Sequence, residues 1–120
     1  LLELGRYNVQ VRDPAAAKKI KHDAIAVQES GATILVLECI PSALAASITA
    51  ELQIPVIGIG AGVDCDGQVL VLYDILGISG RQPKLSKNFL EESSSIQNAV
   101  KLYVTAIKSG DFPAAEHQFS

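Results

Sequence analysis

Polar and apolar positions along this chain fall into a helix–strand–helix–strand rhythm. In RDPAAAKKIKHDAIAVQESG, Ala17, Ile20, Ala24 and Val27 lie at i, i+3, i+7 and i+10, one face of a helix, while Lys18, Lys21 and Asp23 point elsewhere. Asp13 suits its N-cap, Pro14 its first position and Gly31 the position just past its end. ATILVLE follows as an unbroken apolar strand, of the kind that parallel sheets cover on both faces. PSALAASITAELQ then puts Leu44, Ile48 and Leu52 on one helical face, and IPVIGIG is the next buried strand. Strand, helix and strand within about thirty residues form a βαβ unit.

The flanks are less regular. Residues 1 to 12 show no helical period and are expected to form a loop. In QVLVLYDILG, Val69, Val71 and Tyr73 alternate as a strand does, yet Val69, Leu72, Tyr73 and Leu76 also share a helical face. A short strand running into a helical turn accommodates both patterns. IQNAVKLYVTAIKSG predicts a last helix with Ile96, Val100, Tyr103 and Ile107 inward, ended by Gly110.

Helices alternating with buried strands imply an α/β fold with a parallel sheet. The chain has 120 residues, whereas a complete (β/α)8 barrel takes about 250. Two secure strands make a poor open sheet. The expectation is therefore the C-terminal half of a TIM barrel, with residues 1–120 one part of a single domain whose N-terminal half is absent. A first residue that is leucine and a complete lack of methionine fit a piece of something longer.

Composition narrows the class. The chain is 48% hydrophobic and 19% charged, as soluble globular proteins are. A net charge of −3 argues against a nucleic-acid partner. No apolar run approaches the roughly 18 residues of a membrane span, and the start has no signal-peptide pattern. Two cysteines without framework spacing point to a reducing, cytoplasmic setting.

Candidate chemistry gathers at the strand ends. Glu38 closes the most hydrophobic strand, where barrel enzymes place catalytic residues. Partial burial there would raise its pKa and suit a general base, while a solvated or lysine-paired glutamate is the plain alternative. GIGAG, residues 58–62, is either a backbone approach to a bound group or a tight turn at a crowded rim. Asp64 and Asp66 read as caps of a glycine turn, the EF-hand pattern being incomplete. Cys39 reads as a small buried residue, His22 as exposed, and His117 as either a polar tail ending or something more. No cysteine–histidine cluster has zinc-ligand spacing.

Taken together, LVLECIP, IPVIGIGAGVDCDGQVLVLYDILGI, PKLSKNF and SGDFPAAEHQF resemble the C-terminal half of the ketopantoate hydroxymethyltransferase family, over almost the whole length. The resemblance implies a TIM barrel of the phosphoenolpyruvate mutase and isocitrate lyase type. It implies transfer of a one-carbon unit from 5,10-methylenetetrahydrofolate to α-ketoisovalerate, giving ketopantoate for pantothenate and coenzyme A synthesis. Mg²⁺ would hold the keto acid, with its ligands in the missing half. Glu38 matches the glutamate of the family's LEC motif, the base that forms the enolate. Ile59, Val69 and Val71 match positions walling the isopropyl side of the substrate. The family also implies a cytoplasmic homo-oligomer, or here a complementing N-terminal half. The alternative is a non-catalytic half-barrel acting only as an assembly piece. The chain departs from the family's pattern at Gly5-Arg6-Tyr7, Val11, Tyr73, the ISGRQPKL stretch and Pro113-Ala114. None of these touches Glu38.

Overall fold

A computed structural model describes residues 13–120 of the protein; the expected loop over residues 1 to 12 lies outside the described residues. Helix α1, Pro14–Glu29, begins where Asp13 Oδ1 accepts the Ala16 N–H at 2.8 Å. Such a cap is worth about 1 kcal/mol because it satisfies an amide that the helix itself leaves unpaired. The helix ends in a Schellman turn: Gly31 N–H donates to the Gln28 carbonyl and Ala32 N–H to the Val27 carbonyl. Strand β1, Leu35–Glu38, leads to helix α2, Ser42–Glu51, and strand β2, Val56–Ile59.

The two strands are parallel, with Leu35 beside Val56 and Glu38 beside Ile59. A third strand, β3, is only Gly67–Gln68 and pairs in parallel with β2. It comes earlier than the Val69–Tyr73 alternation suggests, and a helical turn, α3, Leu72–Ile75, follows it. The expected strand running into a helical turn is present, shifted toward the glycine. The described residues thus form an α/β fold around a three-stranded parallel sheet in the order β1-β2-β3.

One sheet face is covered and the other is open. Leu37 and Val56 pack with Ala24 of α1, with Ala45 and Ile48 of α2 and with Leu52 just past its end into a first core. Burying a side chain such as Ile48 contributes about 1.5–3 kcal/mol. On the opposite face Ile34 and Val36 are 56% and 54% exposed. The expectation that this apolar strand is covered on both faces is corrected: no layer among the described residues lies over the second face. Val27 of α1, expected inward, is also exposed. It lines a groove of about 210 Å³ beside the free edge of β1, together with Ile20, Leu35, Val36 and Glu38.

The second core gathers Ile75, Leu76, Phe89, Phe112 and Ala99 of the last helix, α4, Ile96–Ser109. Ser95 caps α4 by accepting the Asn98 N–H, and a Schellman turn closes it at Gly110. Its inward face differs from the expected one. Tyr103 and Ile107 do face the core, but with Ala99 and Ala106, while Ile96 and Val100 are exposed. Small alanines let α4 approach the rings of Phe89 and Phe112, which with its own Tyr103 have centroids 5.5–6.1 Å apart in edge-on contacts.

Candidate active site at the strand ends

Parallel strands place all their C-terminal ends on one edge, so the loops after β1 and β2 are neighbours by construction. Glu38 is the last residue of β1 and Ile59 the last of β2, and they are register partners. Side chains alternate along a strand, so Val36, Glu38, Ile57 and Ile59 share the open face, while Leu37 and Gly58 turn toward α1 and α2. Val69 N–H donates to the Gly58 carbonyl at 3.0 Å, which carries the pairing of β3 one step further. Val69 and Val71 are both exposed, whereas Leu70 between them packs on the second core. Three of the four residues matched from the family pattern, Glu38, Ile59 and Val69, are thereby brought to one edge of one face. Val71 lies further on, at the N-cap of α3.

Glu38 is exposed, which corrects the expectation of partial burial. The apolar run before it does not bury it, because its face is the open one. It makes no ion pair among the described residues. Cys39 immediately turns the chain: its φ is +52°, unusual outside glycine, and its N–H donates to the Ile59 carbonyl at 2.9 Å. Its side chain is buried, as expected of a small apolar residue. Burial, and secondarily the Glu38 charge, pushes the Cys39 thiol up to about 11. A thiol so held is a poor nucleophile at neutral pH.

The glycine loop is packed rather than open. A Cβ at Gly62 would fall 2.6 Å from Cβ of Ser42, and one at Gly60 would meet Leu85 at 3.0 Å and the ring of Phe119 at 3.2 Å. These contacts favour the crowded-turn reading of GIGAG. Asp66 does something other than the expected capping of the glycine turn: its Oδ2 accepts the Val56 N–H at 2.8 Å, ten residues away, and fastens the start of β2. Among the described residues no three His, Cys, Asp or Glu side chains converge to hold a metal ion. A broader depression of about 700 Å³, lined by Glu91, Ser94, Asn98 and Lys101 among others, includes none of the strand-end residues. No helix among the described residues is long and apolar enough to cross a membrane.

The two histidines differ. His22 is exposed as expected. His117 is 9% exposed, so the polar-ending reading is corrected. It closes a short 3-10 turn, Ala115–His117, and its Nδ1 accepts the Ala114 N–H at 3.0 Å. Phe119, which the sequence reading did not single out, reaches back so that its carbonyl accepts the Ser42 N–H at 2.9 Å. The signal available in the sequence was an aromatic and a histidine crowded into an otherwise polar ending.

Comparison with known proteins identifies the family. The family model described as ketopantoate hydroxymethyltransferase matches residues 1–115. A 3-methyl-2-oxobutanoate hydroxymethyltransferase of Pseudomonas fluorescens (strain Pf0-1) is 56% identical over 119 residues, covering 98% of this chain and 45% of the relative. Proteins of that name from Thiobacillus denitrificans and Shewanella loihica are each 54% identical over 117 residues, covering 98% and 97% of this chain. The chain spans less than half the length of these relatives, 44–45%. With most of its length matched by the family model, the chain belongs to the ketopantoate hydroxymethyltransferase family.

Proposed function

We propose that this chain forms the C-terminal half of a (β/α)8 barrel that transfers a hydroxymethyl group to α-ketoisovalerate, with Glu38 as the base. The observation that carries this reading is the placement of Glu38. It ends a parallel strand on the uncovered sheet face, beside Ile59, in a chain of this family. In this reading β1, β2 and β3 are consecutive staves of one barrel domain. The open face is its interior, and the groove beside β1 receives the preceding strand and helix from the upstream half.

The chemistry assigned to this chain is proton removal. A Glu38 carboxylate oxygen takes the proton from C3 of the keto acid, and the C–H electron pair becomes the enolate double bond as the carbonyl π pair moves onto oxygen. The enolate carbon bonds to the methylene carbon of 5,10-methylenetetrahydrofolate as one of its two C–N bonds breaks, and the departing nitrogen takes up the proton that Glu38 removed. Water then displaces the second nitrogen from that carbon, leaving its oxygen as the hydroxyl and giving a proton to the nitrogen, so that ketopantoate and tetrahydrofolate are released. Ile59, Val69 and Val71 wall the isopropyl group and keep water from the enolate. Closure of the barrel would cover Glu38, which is exposed here, and exclude water from the reacting carbon. Among the described residues no three His, Cys, Asp or Glu side chains converge to hold Mg²⁺.

The second reading, an assembly piece without catalysis, draws on the exposed Ile34, Val36, Ile96, Val100 and Val104. Such apolar surface asks for a partner, whether an upstream half or further copies of the chain. The deciding experiment mixes the chain with the upstream segment of the Pseudomonas fluorescens relative, expressed in a host lacking its own enzyme. A discrete complex by native mass that makes ketopantoate from the keto acid and methylenetetrahydrofolate is expected. A heterogeneous self-oligomer without turnover would select the second reading.

A further inference from the structure

The tail has a role that local folding alone does not explain. Helix α2 starts with Pro41 in the N-cap position and no side chain to accept its first amides. The Phe119 carbonyl does so instead, taking the Ser42 N–H at 2.9 Å. The Phe119 ring also lies over Gly60, and Gln118 Oε1 stands 3.4 Å from where a Cβ of Gly62 would be. Ser42 is four residues past Glu38, and Gly60 is one past Ile59. One aromatic residue therefore touches both loops that leave the catalytic edge.

What brings Phe119 there is the turn at His117. Phe112 is sunk in the aromatic cluster of the second core, and the His117 ring packs on it at 4.8 Å. From there the bond from Ala114 N–H to His117 Nδ1 folds the chain so that the next residues reach Ser42 and Gly60, in the loops after β1 and β2. Resting on the reading of Glu38 as base, we propose that His117 is a positioning residue: it folds residues 112–120 so that Phe119 ties the loops after β1 and β2 together and holds Glu38 against Ile59.

Only a neutral imidazole can accept at Nδ1, since both nitrogens of the cation donate. Burial lowers the His117 pKa from its ordinary value; Glu116, 3.7 Å from Nε2, acts in the opposite sense, and Lys87 adds to the lowering. The sign follows from linkage: a histidine depressed in the closed form leaves the strap fully stable above about 6.5, and that stability is lost as pH falls through the lowered pKa.

The test compares the wild type with His117→Asn, whose Oδ1 can accept the same N–H without titrating, and His117→Leu, which cannot accept it. Each is assembled with the upstream segment of the family, and amide exchange at Ser42 and C3 exchange of α-ketoisovalerate are followed from about pH 5 to 8. In the wild type, Ser42 protection and C3 exchange rate should fall together on the acid side, and His117→Asn should keep both. His117→Leu should lose Ser42 protection at every pH and slow C3 exchange about ten- to hundredfold, because a small displacement of a reacting group has that effect, with KM within about twofold.

The proposal is overturned if His117→Leu unprotects Ser42 without slowing exchange, if KM moves instead of the rate, or if wild-type Ser42 protection ignores pH. Should His117→Leu fail to fold, the contrast between wild type and His117→Asn on the acid side decides. Glu38→Gln is run alongside. If it leaves C3 exchange intact, the base assignment fails, while Ser42 protection still reports separately on the tail.

Discussion

Cys39 shows how much of this site is set by single residues. It follows Glu38 at a φ of +52°, a region that costs a non-glycine residue of order 1 kcal/mol or more, and it is held there by its bond to β2. Its buried thiol, pushed up to about 11, should resist iodoacetamide at pH 8 in the native protein and react once denaturant exposes it. Rapid native labelling of Cys39 would mean that the turn is open in solution. Tyr103 makes a second case. Its hydroxyl is buried with no hydrogen-bond partner among the described residues, and an unsatisfied group of that kind costs about 1–3 kcal/mol. Tyr103→Phe should leave stability unchanged or raise it by up to about 1 kcal/mol in denaturant titration. A loss larger than that would reveal a partner for the hydroxyl.

At the scale of elements, what the sequence made legible was local. Asp13, Gly31 and Gly110 mark helix ends because caps are settled within three or four residues of chain. The inward face of α4 was misread for the converse reason. Large apolar residues at Ile96 and Val100 suggest a core, but the rings of Phe89 and Phe112 flank the helix, where its own periodicity does not register them, and alanines meet them. Strand β3 was blurred because two paired residues leave no periodicity to read. The placement of Glu38 at a strand end was legible, since it follows from strand order; its exposure was not, since that depends on what faces the sheet. Two substitutions probe the packing at this scale. Ile48→Ala, at the most enclosed part of α2, should cost about 2–5 kcal/mol of unfolding free energy. Gly62→Ala, at φ +84° against Ser42, should destabilise by more than about 1 kcal/mol. A neutral Gly62→Ala would show that the glycine loop is free of α2.

The described residues form an α/β unit with one covered face and one open face. The covered side carries α1 and α2; the open side presents Ile34, Val36, Ile57 and Ile59 with Glu38 at its end. Parallel sheets are ordinarily covered on both sides, so this surface is where the upstream half of the family is proposed to close the barrel. Val36→Lys, on that face and 54% exposed, should change the stability of the chain by less than about 0.5 kcal/mol. It should nevertheless abolish the native-mass complex with the upstream segment. Complex formation unaffected by this charge would place the partner elsewhere.

The most direct test of the central claim, that Glu38 is the base, is deuterium exchange at C3 of α-ketoisovalerate. It is followed by NMR in D₂O buffer containing Mg²⁺, with the chain assembled with the upstream segment and no folate present, so that proton removal is seen apart from carbon transfer. Exchange is expected with the native protein and its loss, by about a hundredfold or more, in Glu38→Gln, as when a general base is removed. Exchange that survives Glu38→Gln at the native rate would contradict that role for Glu38 and assign the proton to another group.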